Sequence, residues 1–89
     1  MRLHLTEEIW KEGGMYVSYC PELDIASCGK TIGQAKKNLK EAILINVQET
    51  KKMGTFHKFL GDAGFDLTEG DDLTLRKKIV AFQPFKIAV

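Results

Sequence analysis

Two cysteines, two prolines and two histidines are all that the 89 residues hold of each. No run of about 18 apolar residues occurs, so no segment is expected to span a membrane. The first residues lack a basic stretch followed by an apolar core, so no secretory signal is expected either. Seven residues separate Cys20 from Cys28 and no second Cys/His pair follows, which is not the spacing of a zinc knuckle. Both are expected to be small buried free thiols in a reducing compartment, with the cytoplasm as the default location. The sequence contains no Gly-rich phosphate loop and no nucleophile-elbow serine. No metal and no cofactor are expected.

Net charge is also nearly absent. Thirteen basic residues face 12 acidic ones, for a formal charge of +1. A chain that binds DNA by itself usually carries a clear basic excess, so direct DNA binding is not expected. The charges are nevertheless clustered. Residues 30–54 carry six lysines against Glu41 and Glu49, while residues 61–75 carry Asp62, Asp66, Glu69, Asp71 and Asp72 with no base. The plain reading is a solvated lysine face and a solvated acidic loop; the other is a site for a charged partner.

Hydrophobic periodicity supplies the secondary structure. Arg2 to Lys11 alternates, with Leu3, Leu5 and Ile9 on one side and His4, Thr6, Glu8 and Trp10 on the other, the pattern of a single strand. Gly13-Gly14 marks a hairpin turn, and Met15–Cys20 forms the next strand. Pro21 ends that strand because it has no N–H for a ladder. After Pro21–Asp24 a third strand covers Ile25–Gly29. Thr31 with Gln34 three residues on is a capping box, and it opens a long helix over Ile32–Met53, about 33 Å in length. Lys51, Lys52 and Gly54 suit its end. A short second helix is expected over 55–64, with Phe56, Phe59 and Leu60 inward, then an acidic irregular connection over 65–78. Lys78–Val89 returns to strand character, with a bend or sheet edge at Pro84.

The order β-β-β-α-(α)-β predicts an α+β class: a three- to four-stranded antiparallel sheet with one long helix packed on it. At 89 residues the chain is one domain, with a core unit over 1–54 and a tail unit over 55–89. Ile43, Leu44 and Ile45 extend the apolar surface of the helix beyond one stripe. They and the tail's Phe82 and Phe85 are the candidate contacts for self-association.

The polar candidates each have an ordinary reading. Glu22 and Asp24 flank Leu23 and could act as acid and base, yet two carboxylates alone are more often turn residues. His4 and His57 are expected on the surface. Trp10, Tyr16 and Tyr19 could stack on bases, but aromatics in a small sheet usually pack across strands. The residues by themselves describe a binding module without a catalytic constellation.

One set of residues resembles a known family. The strand Tyr16-Val17-Ser18-Tyr19, then Pro21-Glu22-Leu23, Cys28-Gly29-Lys30-Thr31, Gln34-Ala35 and Asn38-Leu39-Lys40-Glu41-Ala42-Ile43 is similar to the N-terminal domain of HicB-type antitoxins, over about residues 3–50. The resemblance implies a partial ribonuclease H-like fold without its catalytic carboxylates. It implies a homodimer or homotetramer that occludes a small HicA-type toxin, which cleaves mRNA through a histidine. Asp62, Asp66, Asp71 and Asp72 are then the candidate contacts for a basic toxin. Two features depart from the family: residues 55–89 show no basic helical pair for DNA binding, and Asp24 stands where Pro-Gly is common after the Leu. Rival expectations are an orphan ligand-binding or structural oligomer and a metal-dependent nuclease using Glu22, Asp24 and Glu41.

Overall fold

A computed structural model of the chain describes residues 1–68 and 70–89. The elements in order are β1 (Arg2–Leu3), β2 (Glu8–Glu12), β3 (Met15–Cys20), β4 (Ile25–Gly29), α1 (Ile32–Lys52), α2 (Phe56–Ala63) and β5 (Asp72–Leu73). Strands β2, β3 and β4 form an antiparallel meander, and α1 lies across one face of it. The protein is α+β, as its pattern predicts.

The start of α1 is fixed by local hydrogen bonds. Thr31 Oγ1 accepts from the backbone N–H of Gln34 at 3.0 Å. Gln34 Oε1 in turn accepts from the N–H of Lys30 at 2.8 Å, one residue earlier than in the usual capping box. Lys51 and Lys52 sit in the last turn, where positive charge complements the helix dipole.

Helix and sheet meet closely because the contact residues are small. Gly29 lies against the first turn of α1, and a Cβ there would stand 2.7 Å from the backbone nitrogen of Ala35. Ser18 is fully buried beneath the helix. Its hydroxyl donates to the Ala35 carbonyl at 2.8 Å, so burial leaves it satisfied. Asn38 Nδ2 donates to the Cys28 carbonyl at 2.8 Å and ties the second turn to β4. Past these contacts the core gathers Cys20, Leu23, Leu39, Phe56, Leu60, Phe65 and Leu73.

The structure corrects four sequence expectations. Arg2–Lys11 is not one strand. The N–H of Thr6 bonds to the Glu22 carboxylate instead of a strand neighbour, and the ladder breaks over residues 4–7. The freed β1 pairs in parallel with β5, as a second two-stranded sheet. The connection 65–78 is not merely an irregular loop, because it carries β5, a bridge between Phe65 and Leu75, and two core side chains, Phe65 and Leu73. Lys78–Val89 forms no strand: Pro84 offers no N–H, and no sheet edge among the described residues takes the segment up. Finally, Cys28 is exposed, since its position in β4 turns it away from α1; only Cys20 is buried.

Candidate interaction surface

The β-ladder register sorts the sheet into two faces, since directly opposed residues share a side. Ser18, Cys20 and Gly29 face α1. The opposite face therefore presents Glu8, Trp10 and Glu12 from β2, Met15, Val17 and Tyr19 from β3, and Ala26 and Cys28 from β4. Among the described residues, α1 is the one helix packed on this sheet, and it covers the other side. Trp10 and Tyr19 meet edge to face at 6.4 Å between ring centres. Carboxylates anchor both polar ends: Trp10 Nε1 donates to Glu12 at 3.2 Å, and the Tyr19 hydroxyl donates to Asp24 at 2.7 Å. The latter bond raises the Tyr19 pKa, because the phenol proton is held by the carboxylate. Asp24 itself adopts φ of 54°, a left-handed conformation that Asp tolerates better than most residues. The result is an aromatic centre rimmed by Glu8, Glu12 and Asp24.

The aromatics thus pack across strands, as expected, but Trp10 and Tyr19 do so on the uncovered face. Tyr16 is half-buried, with Lys11 Nζ 5.8 Å from its ring centre. Sequence patterning places residues on alternate faces without saying which face a helix covers, and that is why this surface was not legible.

A second surface lies along α1. Leu5, Leu39, Ile43 and Leu44, with Thr6, Glu7 and Lys40, line an apolar groove of about 420 Å³. Leu44 and Ile45 are 51% and 58% exposed, and Ile43 is half-buried in the groove wall. Phe82 and Phe85 are 94% and 80% exposed on the C-terminal segment. The candidate self-association residues are therefore at the surface, in two separate places.

The acidic candidates are largely engaged within the chain. Asp62 pairs with Lys58 at 2.8 Å one helical turn away. Asp72 pairs with Arg2 at 3.0 Å and lies 3.4 Å from His4. Asp66 Oδ1 accepts from the hydroxyl and N–H of Thr68, which holds its carboxyl below the ordinary range. Asp71 is exposed, and Glu69 lies outside the described residues. The surface positions of His4 and His57 agree with expectation.

The motif residues form the frame rather than a site. Leu23 and Leu39 are core, Gly29 is the close approach, Thr31 caps α1, Asn38 bonds helix to sheet, and Ala42 is half-buried on α1. Pro21 and Glu41 are exposed. Glu22 receives both the hydroxyl and the N–H of Thr6, at 2.6 and 2.8 Å. Thr6 is a partner that sequence reasoning missed, because no local spacing links positions 6 and 22. Glu22, Asp24 and Glu41 do not converge. Among the described residues no three His, Cys, Asp or Glu side chains gather where they could hold a metal ion.

Burial pushes the Glu22 carboxyl up, but the two Thr6 hydrogen bonds overcome this and hold it below its ordinary value of about 4.5. Its contribution to stability is therefore complete above that value and lost as pH falls through the lower folded value. Glu22→Gln is expected to cost about 1–3 kcal/mol at neutral pH, the size of a charge-assisted hydrogen bond. It should also flatten the acid limb of the stability curve. Urea midpoints at neutral and acid pH check both; an acid limb as steep as the parent's would remove this role. Burial likewise raises the Cys20 thiol, and the nearby Glu22 carboxylate adds to the effect.

No protein-family model, curated protein or solved structure matches the chain. No helix among the described residues is long and apolar enough to cross a membrane.

Proposed function

We propose that this chain is a HicB-like antitoxin, or a stand-alone relative of one, that binds a small basic HicA-type toxin and covers its mRNA-cleaving site. In this reading it is cytoplasmic, works as a homodimer or homotetramer, and performs no chemistry itself. The observation that carries the reading is the use made of the motif residues. Leu23, Gly29, Asn38 and Leu39 join sheet to helix, Thr31 caps α1 and Glu22 holds the Thr6 backbone, which leaves an aromatic sheet face and an apolar groove on α1 for contact. Such a scaffold suits protein binding.

The toxin contact is better supported on the open sheet face than on the acidic loop. Trp10 and Tyr19 are the residue types that dominate binding energies, and the carboxylate rim complements a basic partner. Three of the four candidate aspartates already have partners in the chain. Trp10→Ala with Tyr19→Ala is expected to weaken toxin binding roughly 100-fold, and to leave α1 packing intact. Neutralising Asp62, Asp66, Asp71 and Asp72 is expected to slow association by less than about tenfold. The reverse ranking in a titration would return the contact to the loop.

The deciding experiment is RNA cleavage by the product of a short, basic neighbouring reading frame, with and without this protein. Inhibition at a near-equal molar ratio is the expected result. Cleavage that continues under an excess of this protein would overturn the reading. The groove lined by Leu5, Leu39, Ile43 and Leu44 favours the alternative, an orphan small-ligand-binding or structural oligomer.

A further inference from the structure

The C-terminal segment from Ile79 onward is the least accounted-for part of the chain. Ile79, Val80, Phe82, Phe85, Ile87 and Val89 are all large, apolar and at least 70% exposed. Isolated exposed apolar residues are normal, but a contiguous run of this size marks an interaction surface. The segment also stretches the molecule. The radius of gyration is 15.4 Å, against about 12 Å for a compact chain of this length.

The segment starts beside the groove on α1. Ile79 lines a cavity with Leu5, Thr6 and Glu22. Leu5 and Thr6 also line the apolar groove with Leu39, Ile43 and Leu44. An extended run of eleven residues reaches about 33–36 Å. The groove wall from Leu39 to Leu44 is only about 8 Å of helix. The segment is therefore longer than its own groove, and none of its residues lines that groove, so its apolar side chains stay exposed.

We infer that residues 79–89 of one copy dock on α1 of a second copy, with Phe82 or Phe85 filling the groove and the exchange being reciprocal. This rests on the self-association in the reading above and gives it a surface; it is independent of any toxin. A two-fold axis near Leu5 and Thr6 places each tail root beside the partner's groove, as an isologous contact requires. The aliphatic residues then lie over Leu44 and Ile45. Two phenylalanines per tail bring roughly 300–500 Å² into contact, and reciprocal exchange doubles this. With the aliphatic residues and the groove itself added, the total reaches the 1,200–2,000 Å² or so of a stable dimer.

The test uses the full chain and three samples in light scattering after size exclusion: the parent, a tail variant Phe82→Asp/Phe85→Asp, and a groove variant Leu44→Asp. The parent is expected to be dimeric, and each variant to weaken the dimer roughly 100-fold. All substituted residues are exposed, so helical content and melting of the monomer fold should hold. Mixing the two variants is the decisive step. The tail variant keeps a sound groove and the groove variant a sound tail, so the mixture should recover a heterodimer through one exchange. A dimer that survives the tail variant, or a mixture that stays monomeric, overturns the exchange while self-association stands. A parent that is monomeric overturns self-association itself, and protection of its tail from protease would then show the segment folded back on its own groove.

Discussion

Replacing Phe65 with alanine is expected to remove a large share of the stability of the chain. Phe65 is fully buried and sits in one cluster with Leu60, Leu73 and Phe56. Its N–H also bonds to the Leu60 carbonyl at 3.1 Å, just beyond α2. Truncating such a phenylalanine costs about 3–5 kcal/mol through lost burial and the cavity left behind. A domain of this size holds roughly 5–10 kcal/mol in total. The loss therefore takes roughly a third of the margin at the least. Denaturant unfolding of the variant measures it directly. A loss below about 1 kcal/mol would mean that the segment from Phe65 to Leu75 does not close the core.

Substitution at Gly29 is expected to act on a different joint, with comparable severity. An added Cβ would stand 2.7 Å from Ala35 N, 2.8 Å from Gln34 Cβ and 2.9 Å from Gln34 C. Two of those atoms are helix backbone, so the clash cannot be relieved by a side chain turning aside. α1 must lift, and the bonds from Ser18 to Ala35 and from Asn38 to Cys28 lengthen with it. Gly29→Ala is expected to cost about 1–3 kcal/mol, and Gly29→Val more. Amide exchange in the first two turns of α1 should accelerate in step with the loss of stability. An alanine variant as stable as the parent, with unchanged exchange at Ala35, would show that the two layers have room to part.

The elements that local chemistry specifies were legible in the sequence. Gly13-Gly14 turns β2 into β3, Thr31 and Gln34 start α1, and the apolar spacing through Ala35 and Leu39 identifies its inner face. What was not legible depends on distant partners. Nothing near Arg2 or Leu3 announces a parallel pairing with Asp72 and Leu73. Nothing near Thr6 announces Glu22. Alternation at Lys78–Val89 reads as a strand, yet a strand exists only where another strand takes its hydrogen bonds. The acidic composition of 65–78 hid Phe65 and Leu73, because a few well-separated apolar residues carry no period of their own. The candidate surface was hidden in the same way: the pattern set Trp10 opposite Leu3, Leu5 and Ile9, and strand pairing and tertiary packing decided that its side carries Tyr19 and stays open.

The pairing of β1 with β5 has a consequence in time. Arg2 reaches Asp72 across a sequence separation of 70 residues. On a ribosome adding about 5–20 residues per second, the first strand waits roughly 4–14 s for its partner to be made. The hairpins of β2–β4 and the helix that covers them close over short loops and need not wait, since local contacts form first. Leu3 meanwhile has no strand beside it, and Leu60 and Phe56 have only part of their lid. The nascent chain thus passes through an interval with a formed sheet and an unsealed core, and the last core residue to arrive, Leu73, ends it.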